Sequence, residues 1–403
     1  MRKKNIWVFS HYAEPPDGNW TNPYELFKAL VQNGHKLTIF ASSFSHHKRE
    51  DIRLQSGEKY KEQNFEGVRF IFIRTTPYYK SKICYFLNFV SYALRAYKIS
   101  HYYKERPDII IGSSPPPFCA LIAFIVSRRK KAKFFYEVVD LWPQFFVEVG
   151  AFSNWHPITI GLRFIEKVLS RKADKILALW TRMDLYFQKY GISHEKIVWM
   201  PMGINCKEIT DELIYQRKDR CSFAVMYRGR FGLTQDMKLI LQAAKILQEG
   251  DYKNIYFLLV GEGPEKENLI RTRDVMGLKN MKFRNFLPKD QMRKDMAEAD
   301  VFIGSLPDLP CFSKYGMIST KLLDYLSAHR PIIFTTTIKD NLVAKSGAGF
   351  ILPPNDPQAM AKAIIKIATM PSEERAKMAD KGVRYIKKNH DVKLLARKLE
   401  SLL

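Results

Sequence analysis

The chain has 403 residues, room for two or three domains at roughly 150 residues each. Hydrophobic residues make up 46% and charged residues 26%, a globular balance that excludes a disordered, collagen-like or disulfide-framework protein. The formal net charge is +24, with 31 basic against 17 acidic residues in 1–200 and 34 against 24 in 201–403. Such a chain is drawn to anionic partners, whether phosphate groups, nucleic acid or acidic lipid headgroups.

The N-terminus is basic, but the apolar run of Ile6-Trp7-Val8-Phe9 ends at Ser10-His11, which reads as a first strand and not a secretion signal. The five cysteines are far apart, odd in number and form no Cys-x-x-Cys, so neither a disulfide framework nor a zinc site is expected and a reducing, cytoplasmic setting fits. Apolar runs such as Phe118 to Val126 are far shorter than the roughly 18 residues of a membrane span.

In chain order, Ile6 to Phe9 is a strand, Glu14 to Asn19 a loop, and Pro23 to Asn33 a helix with Leu26, Ala29 and Leu30 on one side. Gly34-His35 closes that helix and Lys36 to Phe40 is the next strand. Val68 to Ile73, Ile109 to Ile111 and Phe134 to Val138 continue the series. Strands alternating with helices predict a parallel sheet wound on both faces. The pattern restarts after residue 200, with strands at Ser222 to Tyr227, Ile255 to Val260, Met281 to Phe283, Val301 to Ile303 and Pro331 to Phe334. The break at Pro201-Met202-Gly203-Ile204-Asn205 reads as a hinge, and Ser372 to Leu403 as wholly helical and basic. A ligand of two such domains belongs at the carboxyl ends of the strands.

Five segments could carry chemistry. Pro15-Pro16-Asp17-Gly18-Asn19-Trp20-Thr21 joins a strand to a helix; a glycine there admits a ligand to backbone, while the alternative is a plain turn capped by Thr21 or Asn22. Tyr227-Arg228-Gly229-Arg230-Phe231-Gly232 follows a strand and offers permanently charged forks and bare backbone to a diphosphate, or is a basic turn. Gly261-Glu262-Gly263-Pro264 has Lys266 where a dinucleotide fingerprint needs its third glycine, so a nicotinamide site is not expected. In Tyr315 to Tyr325, Lys321 and Asp324 stand three apart at a helix start. They could hold a phosphate and a ribose, or form a surface ion pair. In Tyr136-Glu137-Val138-Val139-Asp140-Leu141-Trp142-Pro143, Asp140 at a strand end is a catalytic candidate or a helix cap. His46-His47 lacks the surrounding carboxylates of a metal site. No Gly-x-Ser-x-Gly, phosphate-loop or His-Glu-x-x-His motif occurs.

Taken in order, these segments resemble the retaining glycosyltransferases of family four. They come closest to the bacterial surface-polysaccharide branch that includes N-acetyl-fucosamine transferases of O-antigen assembly. Ser113-Ser114-Pro115-Pro116, Asp140-Leu141-Trp142-Pro143, Pro201 to Asn205, Gly229-Arg230, Val260 to Pro264 and Lys321-Leu322-x-Asp324-Tyr325 carry the resemblance. It implies an α/β fold of two Rossmann-like domains facing each other across a cleft. Residues 1–200 would bind acceptor, 201–375 nucleotide sugar, and a helical segment 376–403 would pack back on the first domain. It implies retaining transfer from a nucleotide-sugar donor, a UDP-sugar, to a lipid-linked or saccharide acceptor, with no cofactor and no metal. Arg230 and Lys321 would hold the diphosphate, Asp324 the ribose, Phe286-Leu287-Pro288 the base, and Gly18 with Asn19 the phosphates from the N-terminal side. Gly229 would lie in the same donor-binding loop, and Asp140 near the sugar or acceptor. Gly316 stands where the first of the family's two glutamates falls, and Val139 where His or Arg is common. No Asp-x-Asp is present.

Basic aromatic stretches at Tyr78 to Lys82, Tyr85 to Lys98 and Arg128 to Lys131 suit peripheral contact with an anionic membrane, on the inner face of the cytoplasmic membrane, or form a solvated surface over core-facing aromatics. A nucleic-acid binder is the rival from charge, without any recognised signature, and no nucleic-acid partner is expected. A non-catalytic partner that keeps the fold is the second rival.

Overall fold

The computed structural model describes residues 2–18, 22–46, 48–79, 81–209, 222–232, 235–287 and 291–403. Asn19, Trp20, Thr21, His47 and Pro288, named above, lie outside them, as do Lys80 and Cys221. The chain divides into two compact units, Met1–Gly203 with Val392–Leu403, and Ile204–Asp391.

The first unit runs β1 (Asn5–Phe9), α1 (Asn22–Gln32), β2 (Lys36–Ser42), a small pair β3 (Phe44–Ser45) and β4 (Glu50–Asp51), β5 (Tyr60–Phe65), β6 (Val68–Ile73), α2 (Lys82–Ser100), β7 (Ile109–Ser114), α3 (Pro117–Lys130), β8 (Lys133–Val138), α4 (Gln144–Glu148), α5 (Pro157–Lys172), β9 (Lys175–Ala178), α6 (Met183–Phe187) and β10 (Ile197–Trp199). Among the described residues, eight of these strands form one sheet in the order β10-β9-β8-β7-β1-β2-β6-β5. Only β5 runs antiparallel to its neighbour. The central strands are apolar on both faces because helices cover both: β7 is buried along its whole length. β1 is paired with β2 on one side and β7 on the other, so the winding direction reverses there.

The second unit runs β11 (Phe223–Arg228), α7 (Met237–Glu249), β12 (Ile255–Val260), α8 (Lys266–Val275), β13 (Met281–Arg284), α9 (Met292–Met296), β14 (Val301–Ser305), α10 (Pro310–Tyr315), α11 (Lys321–Ser327), β15 (Ile332–Thr335), α12 (Leu342–Ser346), β16 (Gly349–Leu352), α13 (Pro357–Thr369) and α14 (Ser372–Asn389). Its sheet is β13-β12-β11-β14-β15-β16, parallel throughout among the described residues. The reversal falls between β11 and β14. Helix starts follow local chemistry: Asp236 accepts from Leu239 N at 3.4 Å to open α7, and Asp356 from Ala359 N at 2.8 Å to open α13, with Pro357 at its first turn.

The C-terminal segment corrects the sequence reading. A boundary at 375/376 would cut α14, which packs on α11 and α12 in the second unit. The chain breaks at His390-Asp391, and α15 (Val392–Glu400) alone joins the first unit, against α1. The reason is the pattern of burial: Val392, Leu395, Ala396 and Leu399 make one apolar stripe that enters the first core, while Glu400 meets His35 at 3.0 Å.

Candidate functional site

In the second unit the reversal point gathers a half-buried cation against bare backbone. Lys321 is the first residue of α11, and its Nζ donates to Tyr227 Oη at 3.0 Å and to Gln235 Oε1. It lies 4.6 Å from the centre of the Tyr227 ring. Tyr227 Oη in turn donates to the Arg230 carbonyl at 2.8 Å. A Cβ placed on Gly229 would stand 2.9 Å from that hydroxyl and 3.3 Å from Lys321 Nζ, so ammonium, phenol and glycine backbone form one cluster. Burial pushes the Lys321 ammonium down to about 7. Tyr227 and Gln235 supply only neutral oxygens, which leaves room for an anion's charge.

Two neighbouring loops are knitted to this cluster. Phe231 N donates to Glu262 O at 2.9 Å and Glu265 N to Phe231 O at 3.2 Å. A Cβ on Gly261 would fall 1.9 Å from Gly229 O, and one on Gly263 2.2 Å from Phe231 O. The two glycines are there so that the loops after β11 and β12 can touch, which explains the truncated fingerprint without any dinucleotide. α11 is fastened to the end of β11 by Tyr325: Arg228 N donates to its Oη at 2.8 Å, and the Oη donates back to Arg228 O at 2.8 Å. That clamp sets where Lys321 stands.

The edge toward β13 is an ion network. Asp295, fully buried, accepts from Arg228 Nε at 3.3 Å and from Arg284, which also meets Glu298 at 2.9 Å. The Arg228 guanidinium sits 5.0 Å over the Phe286 ring, steadying the segment in which half-buried Leu287 follows. Arg230 is exposed and Asp324 half-buried, one turn into α11. Thus Gly229, Arg230 and Lys321 come together at one strand end, while Leu287 and Asp324 lie on elements anchored to the same β11 terminus through Arg228 and Tyr325.

The first unit holds Gly18 and Asp140. Gly18 closes a turn, its N–H donating to Pro15 O at 2.8 Å, beside the paired Asp17–Arg53 contacts of 2.7 and 2.8 Å. Asp140 lies just beyond β8 and does not cap α4, whose cap position is Pro143. Burial raises its carboxyl to about 6, opposed by a hydrogen bond from the Trp180 side chain. Beside it in sequence, Glu137 is also raised by burial and accepts from Ser113 Oγ at the end of β7.

His11, beyond β1, was legible only as an isolated histidine. Its Nε2 meets Asn88 Oδ1 at 2.7 Å, and Asn88 Nδ2 donates to Thr75 Oγ1 at 2.8 Å and Thr76 O at 2.7 Å. That fixes the amide orientation, so Nε2 carries the proton; burial holds the ring neutral, down to about 3. Tyr227 and Tyr325 stand in the singled-out motifs, but as neighbours of the charged residues and not as their partners, and Gln235 lies outside those motifs. His46 meets Tyr78, and among the described residues no group of three His, Cys, Asp or Glu is placed to hold a metal.

Two sheets of this winding, the second parallel among the described residues and the first parallel but for β5, each with polar groups gathered where its strand order reverses, define the GT-B class of fold. Residues 21–208 match Glycosyltransferase Family 4 and residues 222–370 match Glycosyl transferases group 1. The two halves of the chain thus match two glycosyltransferase family models, on a GT-B fold. A colanic acid biosynthesis glycosyltransferase of Escherichia coli K12, WcaL, is 21% identical over 238 residues, 58% of this chain and 57% of that protein. The match therefore spans little more than half of that relative. Among solved structures, a sucrose-phosphate synthase from Thermosynechococcus elongatus aligns with a TM-score of 0.76 at 16% identity, over 99% of this chain and 98% of that one. HepE of Anabaena, in complex with UDP and glucose, aligns at 0.69 and 13%, over 100% and 99%. A glycosyltransferase from Rickettsia africae aligns at 0.69 and 16%, over 100% and 98%.

Proposed function

We propose that this chain transfers a sugar, with retention of anomeric configuration, from a nucleotide-sugar donor to a saccharide or lipid-linked acceptor of a bacterial surface polysaccharide. The observation that carries the donor half is the Lys321 ammonium, held by neutral oxygens against the Gly229 backbone. Breaking the anomeric carbon–oxygen bond leaves a nucleoside diphosphate with growing negative charge. Lys321 and the guanidinium of Arg230 stabilise that charge, the role a metal takes elsewhere. Asp324 hydrogen-bonds the ribose, and the Phe286-Leu287 segment meets the base through its backbone. Gly18 and Asn19 are assigned to the donor phosphates by the resemblance to family four alone. Asp140 acts on the acceptor or transferred sugar; its raised carboxyl suits a group that exchanges a proton near neutral pH. The UDP in HepE and the polysaccharide setting of WcaL support a UDP-sugar donor and a surface-glycan acceptor.

The test is thermal stabilisation by a panel of nucleoside diphosphates, followed by release of the nucleotide from the matching sugar in the presence and absence of EDTA. The reading expects stabilisation by UDP and turnover that EDTA leaves unchanged. A fold without any nucleotide binding would overturn it in favour of a non-catalytic partner.

A further inference from the structure

Helices α2, α3 and α5 lie side by side on one face of the first sheet, α3 packed against both others. Each crosses back between parallel strands, so all three begin at the carboxyl edge of the sheet, the edge that carries His11 and Asp140. Their outward stripes are apolar where solvent would favour polar side chains. Ile83, Leu87 and Leu94 stand outward on α2, Ile125 on α3, and Ile160 and Phe164 on α5. Ile83 is 74% exposed, Leu94 64% and Phe164 67%; Trp155, just before α5, is 86% exposed. A helix layer that shows this much hydrocarbon is a docking surface in waiting.

The charge on the same helices selects the partner. α2 carries three lysines and arginines, α3 three and α5 four. The single acid among them is Glu166, which is buried and turned inward to the hydroxyls of Tyr186 and Tyr190 at 2.8 and 2.7 Å. Most of the cations sit in the C-terminal turns: Arg95 and Lys98, Arg128 and Arg129, Arg171 and Lys172. Exposed hydrocarbon thus runs from Ile83 and Ile160 near the helix starts through Leu94, Ile125 and Phe164, interspersed with charge of one sign that is densest in the last turns. A protein partner would be met by charges of both signs; a surface bearing hydrocarbon plus one sign of charge fits an anionic lipid bilayer.

We infer that the α2–α3–α5 face docks on an anionic bilayer, with Ile83, Leu94, Phe164 and Trp155 entering the acyl boundary and the helix-end arginines meeting lipid phosphates. Where the sugar-transfer reading holds, this seats the edge bearing Asp140 near a lipid-borne acceptor. The docking itself does not depend on that reading.

The full chain is sedimented with vesicles of phosphatidylcholine alone and with phosphatidylglycerol added, at low salt and at 0.5 M salt. The expected result is binding to the phosphatidylglycerol vesicles only, weakened by salt, with a blue shift in tryptophan emission that Trp155→Phe removes. Leu94→Glu with Phe164→Glu, and separately Arg128→Glu with Arg129→Glu, each weaken binding at least about tenfold. Both pairs are exposed, so circular dichroism and stabilisation by UDP stay unchanged, which separates loss of docking from loss of the donor site. Absence of binding to anionic vesicles overturns the inference. So does binding that neither double variant weakens, or self-association in sedimentation velocity that the same substitutions abolish.

Discussion

The two units use one architecture to opposite electrostatic ends. At the reversal point of the second sheet the half-buried ionisable group is a cation, Lys321, set among neutral oxygens and glycine backbone. At the carboxyl edge of the first sheet the half-buried groups are acids, Asp140 and Glu137, each with a neutral donor. In both places burial disfavours the charged form, lowering the lysine and raising the acids. Folding alone does not reward such placements, because desolvating a charge is unfavourable. In the proposed function this contrast corresponds to a negative ligand at the second unit and a proton-exchanging role at the first.

The sharpest way to break this contrast is Lys321→Ala. Losing the cation that faces the leaving diphosphate is expected to lower transfer about 100-fold, against about tenfold for exposed Arg230→Ala, measured as nucleotide release. Wild-type turnover in both variants would remove the assignment. Asp140→Asn is expected to lower transfer at least about tenfold while leaving UDP affinity intact, a split visible by calorimetry beside kinetics. Its stability should respond to pH with a definite sign. The folded carboxyl titrates near 6 against 3.8 for a fully solvated aspartate, so wild type loses stability as pH rises from about 4 to 6, and the asparagine variant does not. Melting curves at pH 4, 5 and 7 decide this.

Gly261→Ala tests the loops. Its Cβ would meet Gly229 O at 1.9 Å, so the contact between the loops must open. Weaker UDP binding with a melting temperature lower by several degrees is the expected result. The smallest effect is a pH slope in donor binding. Free Lys321 titrates near 7 and a bound diphosphate raises it, so UDP affinity is level below pH 7 and falls above it, by at most about tenfold per unit. Lys321→Arg should flatten that slope, because guanidinium stays charged. The same shift makes the folded chain gain stability from about pH 7 to 10.5, where the unfolded lysine binds the extra proton.

What the amino-acid order determined by itself was local and periodic. Apolar runs at Ile109 to Ile111 and Ser222 to Tyr227 located strands that the fold has as Ile109–Ser114 and Phe223–Arg228, and their alternation with helices specified the α/β class. Glycines and charged residues at strand ends and a helix start singled out Gly229, Arg230, Asp140 and Lys321, because the positions where backbone must be bare or charge must be tolerated are written in residue type. Partnerships were not legible there. That Lys321 leans on Tyr227 and Gln235, that Tyr325 clamps α11 to β11, and that Arg228 shares Asp295 with Arg284 depend on side chains 67 to 97 positions apart in the chain or drawn from separate elements. The C-terminal helices show the same division. Ser372 to Leu403 read as wholly helical and basic, and only tertiary packing sent α14 to one unit and α15 to the other, since an apolar stripe states that a helix must be buried but not against which core.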